Sequence, residues 1–294
     1  MAADQRSLND LRKEIDAIDG ALQDLLIQRT SLAQSIAAAK GDTSVFIRPG
    51  REAQVVRRLV ARHSGAFPKA ALVRLWRDII SAVTALQGPF AVAVCTPPNG
   101  PDLRALARDH FGAVTPFSAF ESAMGVLRAV SEGKATVGVL PLPQSDEQES
   151  WWRALARGGD DTPRIVARLP FAPSASAQGD DAEALVVAQT GQEESGRDRS
   201  YLVLETAEEL SRDALGQLLA SAELAVVDVK HTRDLADHRL DLIEVEGYLA
   251  AEDPRLERLS RGHAEQIRQY WLVGGYAVPF SAEELAAEPA EAPA

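Results

Sequence analysis

Apolar residues Leu11, Ile15, Ile18, Leu22, Leu25, Leu32, Ile36 and Ala39 recur at steps of four and three, interrupted only at position 29, where the chain has arginine. That spacing is the seam of one amphipathic or coiled-coil helix. Ser7 is placed to cap it, Asp10 supports its first turn and Gly41 follows its last periodic residue, so the pattern predicts a helix over about 7–40. At 1.5 Å per residue such a helix spans about 50 Å, too long for a small globule and in need of a partner. Arg29 is the anomaly. A guanidinium keeps its proton, so a seam position costs several kcal/mol unless an anion meets it, either a carboxylate of this chain or a ligand.

The same reading places a second helix from Pro49 through RPGREAQVVRRLVARH to Ser64-Gly65. A third runs from Pro68 to Gln87, with Leu72, Trp76, Ile80, Val83 and Gln87 along one face and Gly88-Pro89 ending it. After residue 88 the period changes. AVAVC, AVTPF and ATVGVLPLP read as strands alternating with the helices DLRALARDHFG and FESAMGVLRAVSEG, the signature of an α/β unit with a parallel sheet. Residues 145–163 and 172–184 read as loops around the strand RIVARLPF, and ALVVAQ as another strand. A third unit gives strand SYLVLETA, helix SRDALGQLLASA, strands LAVVDVKHT and RLDLIEVEGYLA, helix PRLERLSRGHAEQIRQY and strand WLVGGYAV, the ferredoxin-like order. The tail from residue 281 is acidic and rich in Ala and Pro, and is expected to be disordered beyond one short turn.

Composition narrows the chemistry. A net charge of -12 argues against nucleic acid or an anionic membrane as partner, so any anionic ligand must be caught by a local cluster of Arg and Lys. Cys95 is the single cysteine, which excludes an internal disulfide and a cysteine zinc cluster. The five histidines are scattered, so no metal is expected. The chain opens without an apolar leader and has no apolar stretch of membrane-spanning length, which makes the cytoplasm the expected compartment.

Within the first helix, Arg29 and Lys40 are eleven residues apart, about three turns, so both point the same way about 16 Å apart and could hold a small dianion between them. Arg12 is rotated by about 100° and lies about 25 Å along the axis from Arg29. It could serve that pocket only from a symmetry-related partner. Gln87 sits on an apolar face, where a neutral amide needs a partner. Taken singly, Arg12, Lys40 and Arg51 resemble solvated surface charges, and Glu52 could merely complement the dipole of its helix.

The segments LRKEIDAID, LLIQRTSLAQSIAAAK, RPGRE and IISAVTALQ resemble the all-helical (AroQ) class of chorismate mutases over residues 8–88. The resemblance implies a three-helix unit that intertwines with a second copy as a homodimer, and a pericyclic rearrangement of chorismate to prephenate that uses no nucleophile, metal or cofactor. It implies that Arg12 of the partner copy and Arg29 hold the two carboxylates, with Arg51 in support. Lys40 and Gln87 would donate to the ether oxygen, and Glu52 would accept from the ring hydroxyl. Arg48 and Val83 depart from the pattern, where some members have aspartate and serine.

Residues 111–145 resemble a worn prephenate dehydratase lobe. Its V-P-I-E-N-S motif reads Leu140-Pro141-Leu142-Pro143-Gln144-Ser145, and its Thr-Arg-Phe reads Arg199-Ser200-Tyr201, so dehydratase activity is not expected. The last unit resembles an ACT regulatory domain, with SRDAL and HTRD in place of its ligand motifs; it is either a structural appendage or a sensor with an aromatic amino acid as effector. The expected organisation is therefore a multi-domain α and α/β chain: a helical mutase unit at 1–88, a dehydratase-like α/β region at 89–196, an ACT-like βαββαβ unit at 197–280 and a tail at 281–294. Isochorismate pyruvate-lyase on the same scaffold and a non-catalytic metabolite-binding regulator are the alternatives.

Overall fold

A computed structural model describes residues 7–40, 47–98, 100–145, 150–157, 159, 161–173, 182–206, 211–231, 239–263 and 265–286. Three helices come first: α1 (Leu8–Lys40), α2 (Pro49–Arg62) and α3 (Lys69–Ala85). The apolar seam of α1 lies on the surface: Leu11, Ile15, Ile18, Leu22, Leu25, Leu32 and Ile36 are all exposed, Leu32 to 66%. On α3, Ile80 and Val83 of the expected face are buried and Leu72 and Trp76 half-buried, while Val73, Arg77, Ser81 and Thr84 extend the buried stripe to one side. The reason is the neighbour each face meets, since Val73, Arg77 and Ile80 turn toward Phe171 and Phe280 of the body.

The rest is one nine-stranded sheet, built from β1 (Val92–Cys95), β2 (Phe117–Phe120), β3 (Val137–Pro141), β4 (Arg164–Leu169), β5 (Ala184–Ala188), β6 (Asp198–Thr206), β7 (Val226–His231), β8 (Arg239–Glu246) and β9 (Ile267–Ala277). The strand order is β2-β1-β3-β5-β4-β9-β6-β8-β7. Only β2, β1 and β3 keep the parallel pairing expected of the α/β unit; β5 pairs antiparallel with both β3 and β4. Alternation sorts the side chains: Val92, Val94, Val137, Val139 and Val186 go to one face, Ala93, Cys95, Leu185 and Val187 to the other.

Helices α4 (Arg104–Phe111) and α5 (Ala123–Ser131) belong to the first half, α6 (Arg212–Ser221) and α7 (Pro254–Gly262) to the second. In the second half β6, α6, β7, β8, α7 and β9 follow the expected order, with antiparallel neighbours β9-β6-β8-β7. The halves meet where β4 runs parallel to β9 at Ile165↔Gly274. Gly274 has φ +113°, and a Cβ there would stand 2.1 Å from the Ile165 carbonyl oxygen, so the joint requires glycine.

Three expectations need correction. Residues 151–157, read as loop, form a 3-10 helix, because Trp151, Trp152 and Leu155 in that polar stretch are buried in the core. The helix from Pro254 stops at Gly262, and Ile267–Tyr270 already belong to β9, where Ile267 pairs with Thr206. The second strand starts at Phe117 rather than Ala113; Val114 is 80% exposed, and Thr115 uses its hydroxyl to bond the Phe111 carbonyl at the end of α4. The one short turn expected of the tail is α8 (Ala282–Leu285), closed by a Ser281–Glu284 capping box. The remainder of the tail, 287–294, and most of the HTRD stretch lie outside the described residues.

α4 packs on α3 through Arg74–Asp109 (2.9 Å) and the Ser81 hydroxyl, which donates to the His110 carbonyl. Burial, with the positive Arg77 nearby, holds the His110 imidazole well below its ordinary pKa. The unfolded chain therefore takes up a proton that folded His110 refuses. Stability from this group is present above about pH 6.5 and lost as the pH falls below it. Melting temperatures between pH 7.5 and 5 should decline in the parent and decline less in His110→Gln; equal slopes would show that His110 is not the sensitive group.

Candidate active site

The six residues singled out by the sequence divide by environment. Arg29 is half-buried on α1, with its guanidinium carbon 5.7 Å from the ring centre of Trp76 on α3. Its Nη1 is buried and has no hydrogen-bond partner among the described residues. Desolvation without a counter-charge pulls its pKa below the usual value. Arg12 is exposed on the same helix. Lys40 ends α1, and its side chain lies outside the described residues.

Glu52, on the first turn of α2, accepts on Oε2 a hydrogen bond from Arg77 Nη1 at 3.0 Å. Both side chains are largely removed from water, at 19% and 6% exposure. Burial raises the Glu52 pKa, while Arg77 and the backbone N–H of Arg48 pull against it. Glu52 is thus committed to Arg77, which answers one of the alternatives for Arg29: its partner is an aromatic face, not this carboxylate. Arg51 is exposed, with Nη1 3.4 Å from Gln54 Oε1. Gln87 is half-buried just past the end of α3 and donates weakly to the Val83 carbonyl at 3.4 Å. Among the described residues no hydrogen bond or ion pair joins any two of Arg12, Arg29, Arg51, Glu52 and Gln87.

Sequence reasoning passed over Arg77 and Arg57. Arg77 lies 4.4 Å over Phe171, Arg57 5.8 Å from the same ring, and Phe171 meets Phe280 edge to face at 5.4 Å. A usable signal existed. Val73, Arg77, Ile80 and Thr84 repeat the four-three-four spacing with an arginine in the stripe, as does Ala53, Arg57 and Val60 on α2.

A second polar cluster lies in the body. Glu244 accepts from Arg199 (3.0 Å), from Tyr201 (3.1 Å) and, more closely, from Tyr276, while Arg168 donates to Tyr276. Desolvation, with Glu244 alongside, pushes the Tyr276 hydroxyl up to about 12. A cavity of about 210 Å³ opens above it, lined by Leu142, Arg168, Lys230 and Glu244 among others. Its charges already neutralise one another, Arg168 with Glu183, Lys230 with Asp228 and Glu244 with Arg199. No helix among the described residues is long and apolar enough to cross a membrane.

Residues 11–88 match the family model for chorismate mutase type II. A bifunctional chorismate mutase/prephenate dehydratase of Pseudomonas aeruginosa is 36% identical over 154 residues, covering 49% of this chain and 41% of the relative. Its counterpart in Aquifex aeolicus is 31% identical over 145 residues, covering 48% and 40%. The matched region thus spans about two fifths of those relatives. Both carry two activities by name, which lends no support to the expectation that dehydration is absent here. A prephenate dehydratase from Streptococcus mutans aligns at 16% identity with a TM-score of 0.48, covering 65% of this chain and all of that one. Over its N-terminal helices, this chain carries a chorismate mutase type II domain.

Proposed function

We propose that the N-terminal domain rearranges chorismate to prephenate. The observation that carries the reading is Arg29: a half-buried cation whose Nη1 has no partner among the described residues, set against Trp76 in a segment that matches the family. A carboxylate of the substrate would supply the missing acceptor. The reaction needs the substrate folded into its reactive conformer and charge stabilised on the breaking ether oxygen, which preorganised donors can do without a covalent intermediate. In this reading Arg29, Lys40 and Gln87 are catalytic; Arg12, Arg51 and Glu52 bind substrate.

In this reading Arg12 completes the pocket of a second copy, a proposal supported by the exposed apolar seam of α1, which would give that copy a surface to cover. A homodimer follows, with the units 1–88, 89–196 and 197–280 as its proposed organisation. A cytoplasmic location fits a chain working on a soluble metabolite. An aromatic amino acid remains the proposed effector of the C-terminal unit.

The test is to incubate purified protein with chorismate and follow its loss and the appearance of prephenate. Absence of turnover would overturn the reading, and release of pyruvate from isochorismate would favour the lyase instead. Adding prephenate and looking for phenylpyruvate reads the relatives' second activity, and titrating phenylalanine reads the effector. Because Gln87 is a neutral amide that donates without first taking up a proton, turnover is expected to stay level between about pH 6 and 8. A steep alkaline fall in that window would contradict the role given to Gln87.

A further inference from the structure

Helix α2 begins without a side-chain cap of its own. Arg48 occupies the capping position and makes no capping bond, and Pro49 follows it. The missing acceptor comes from 142 residues along the chain. Glu193, in the segment between β5 and β6, sets Oε2 3.4 Å from the Arg51 N–H and takes Arg48 Nε on Oε1 at 2.7 Å. Gly50 marks how close the contact is, since a Cβ there would come 2.4 Å from the Glu193 carbonyl oxygen.

The same segment holds the helix at two further points. Gln54 Nε2 donates to the Glu194 carbonyl at 3.0 Å. Arg57 donates to the Ser195 hydroxyl (2.9 Å) and to the carbonyls of Ser195, Arg197 and Val278. The segment is itself fixed to β6. The Asp198 carboxylate accepts from Ser195 N, Ser195 Oγ and Gly196 N, and the Gln192 amide bonds the Arg199 carbonyl and the Ser200 hydroxyl. Residues 192–198 thus form a bracket from the first strand of the C-terminal unit to the first three turns of α2.

Arg48 and Glu193 are 51% and 31% exposed, so their attraction adds little to stability. What the pair fixes is position. Arg51 and Glu52 leave the helix at the very turn that Glu193 holds, and small displacements of such groups cost catalysis far more than stability. We infer that Glu193 is a positioning residue for the pocket of the N-terminal domain, so that the C-terminal region forms part of that pocket's framework. The inference rests on the mutase reading for its kinetic consequence and on the geometry alone for its structural one.

The experiment uses the full chain and the variants Glu193→Ala, Glu193→Gln and Gly50→Ala, with Glu257→Gln as a control that breaks the exposed Glu257–Arg261 pair. Chorismate kinetics, thermal unfolding and amide hydrogen exchange are measured on each. Glu193→Ala should raise KM about five- to tenfold with a smaller change in kcat and little change in Tm, and Gly50→Ala should raise KM likewise but also lower Tm, because its Cβ meets the Glu193 backbone. Glu193→Gln, which keeps an acceptor oxygen, should recover most of the loss, and exchange should quicken at residues 48–54 but not in α3. An active parent whose Glu193→Ala variant matches it in KM would overturn the inference. So would unchanged exchange at 48–54, whatever the parent's activity, whereas an inactive parent with quickened exchange would overturn only the mutase reading.

Discussion

Arg29→Ala is expected to lower kcat/KM for chorismate by at least about a hundredfold, because a preorganised cation in a water-poor site is what the rearrangement draws on. The same substitution should leave the protein as stable as the parent or more so. Arg29 carries a desolvation penalty, and among the described residues no ion pair offsets it and its Nη1 has no hydrogen bond. Losing it relieves a cost as well as removing the contact with Trp76. Opposite signs for activity and stability would mark a group retained for chemistry. Arg29→Lys should recover only part of the rate, since an ammonium cannot present the planar fork that a carboxylate meets. Steady-state kinetics with urea unfolding on the three proteins decides it; activity within tenfold of the parent in Arg29→Ala would remove Arg29 from the site.

Arg77→Met should be the most destabilising of the substitutions considered, at about 3–5 kcal/mol, because it strands Glu52 in a site already short of water. The pH dependence has a definite sign. Burial already lifts the folded pKa of Glu52 above its ordinary value against the pull of Arg77, and without Arg77 the lift grows. The folded variant then holds a proton that the unfolded chain gives up. Its stability is fullest below the unfolded carboxylate range and is lost as pH rises through the folded pKa. Urea unfolding at pH 5 and 7.5 should therefore show a wider gap for the variant than for the parent, and Glu52→Gln added to Arg77→Met should restore most of the loss. A single-variant loss under about 1 kcal/mol would mean that water reaches Glu52.

The helices of the first unit were legible because each is amphipathic over several turns and bounded by Ser, Pro or Gly, signals that act within a few residues. Arg29 was legible for the same reason, as a charge in an apolar line. Its neighbour was not: Trp76 was read only as one position of a helical face, and the structure leaves it half-buried against Arg29 while burying Arg77, because Phe171, from a different unit, lies on that side. Local periodicity says that a helix has a buried face but not which distant residue covers it. The 3-10 helix at Trp151 and the start of β9 at Ile267 were missed on the same ground, since only the tertiary core and the partner Thr206 decide them. Glu193 carried no signal at all, being one carboxylate of an acidic loop until its distance to Arg48 is measured.

The reach of Arg57 bears on the order in which the molecule can be made. Its guanidinium ends on the carbonyl of Val278, 221 residues downstream. A chain emerging from the ribosome can wind α2 as soon as that helix clears the exit, but this acceptor does not exist until nearly the whole body has been translated. A helix that precedes the sheet in the sequence is thus fastened late, and its final alignment waits on closure of a loop of 221 residues.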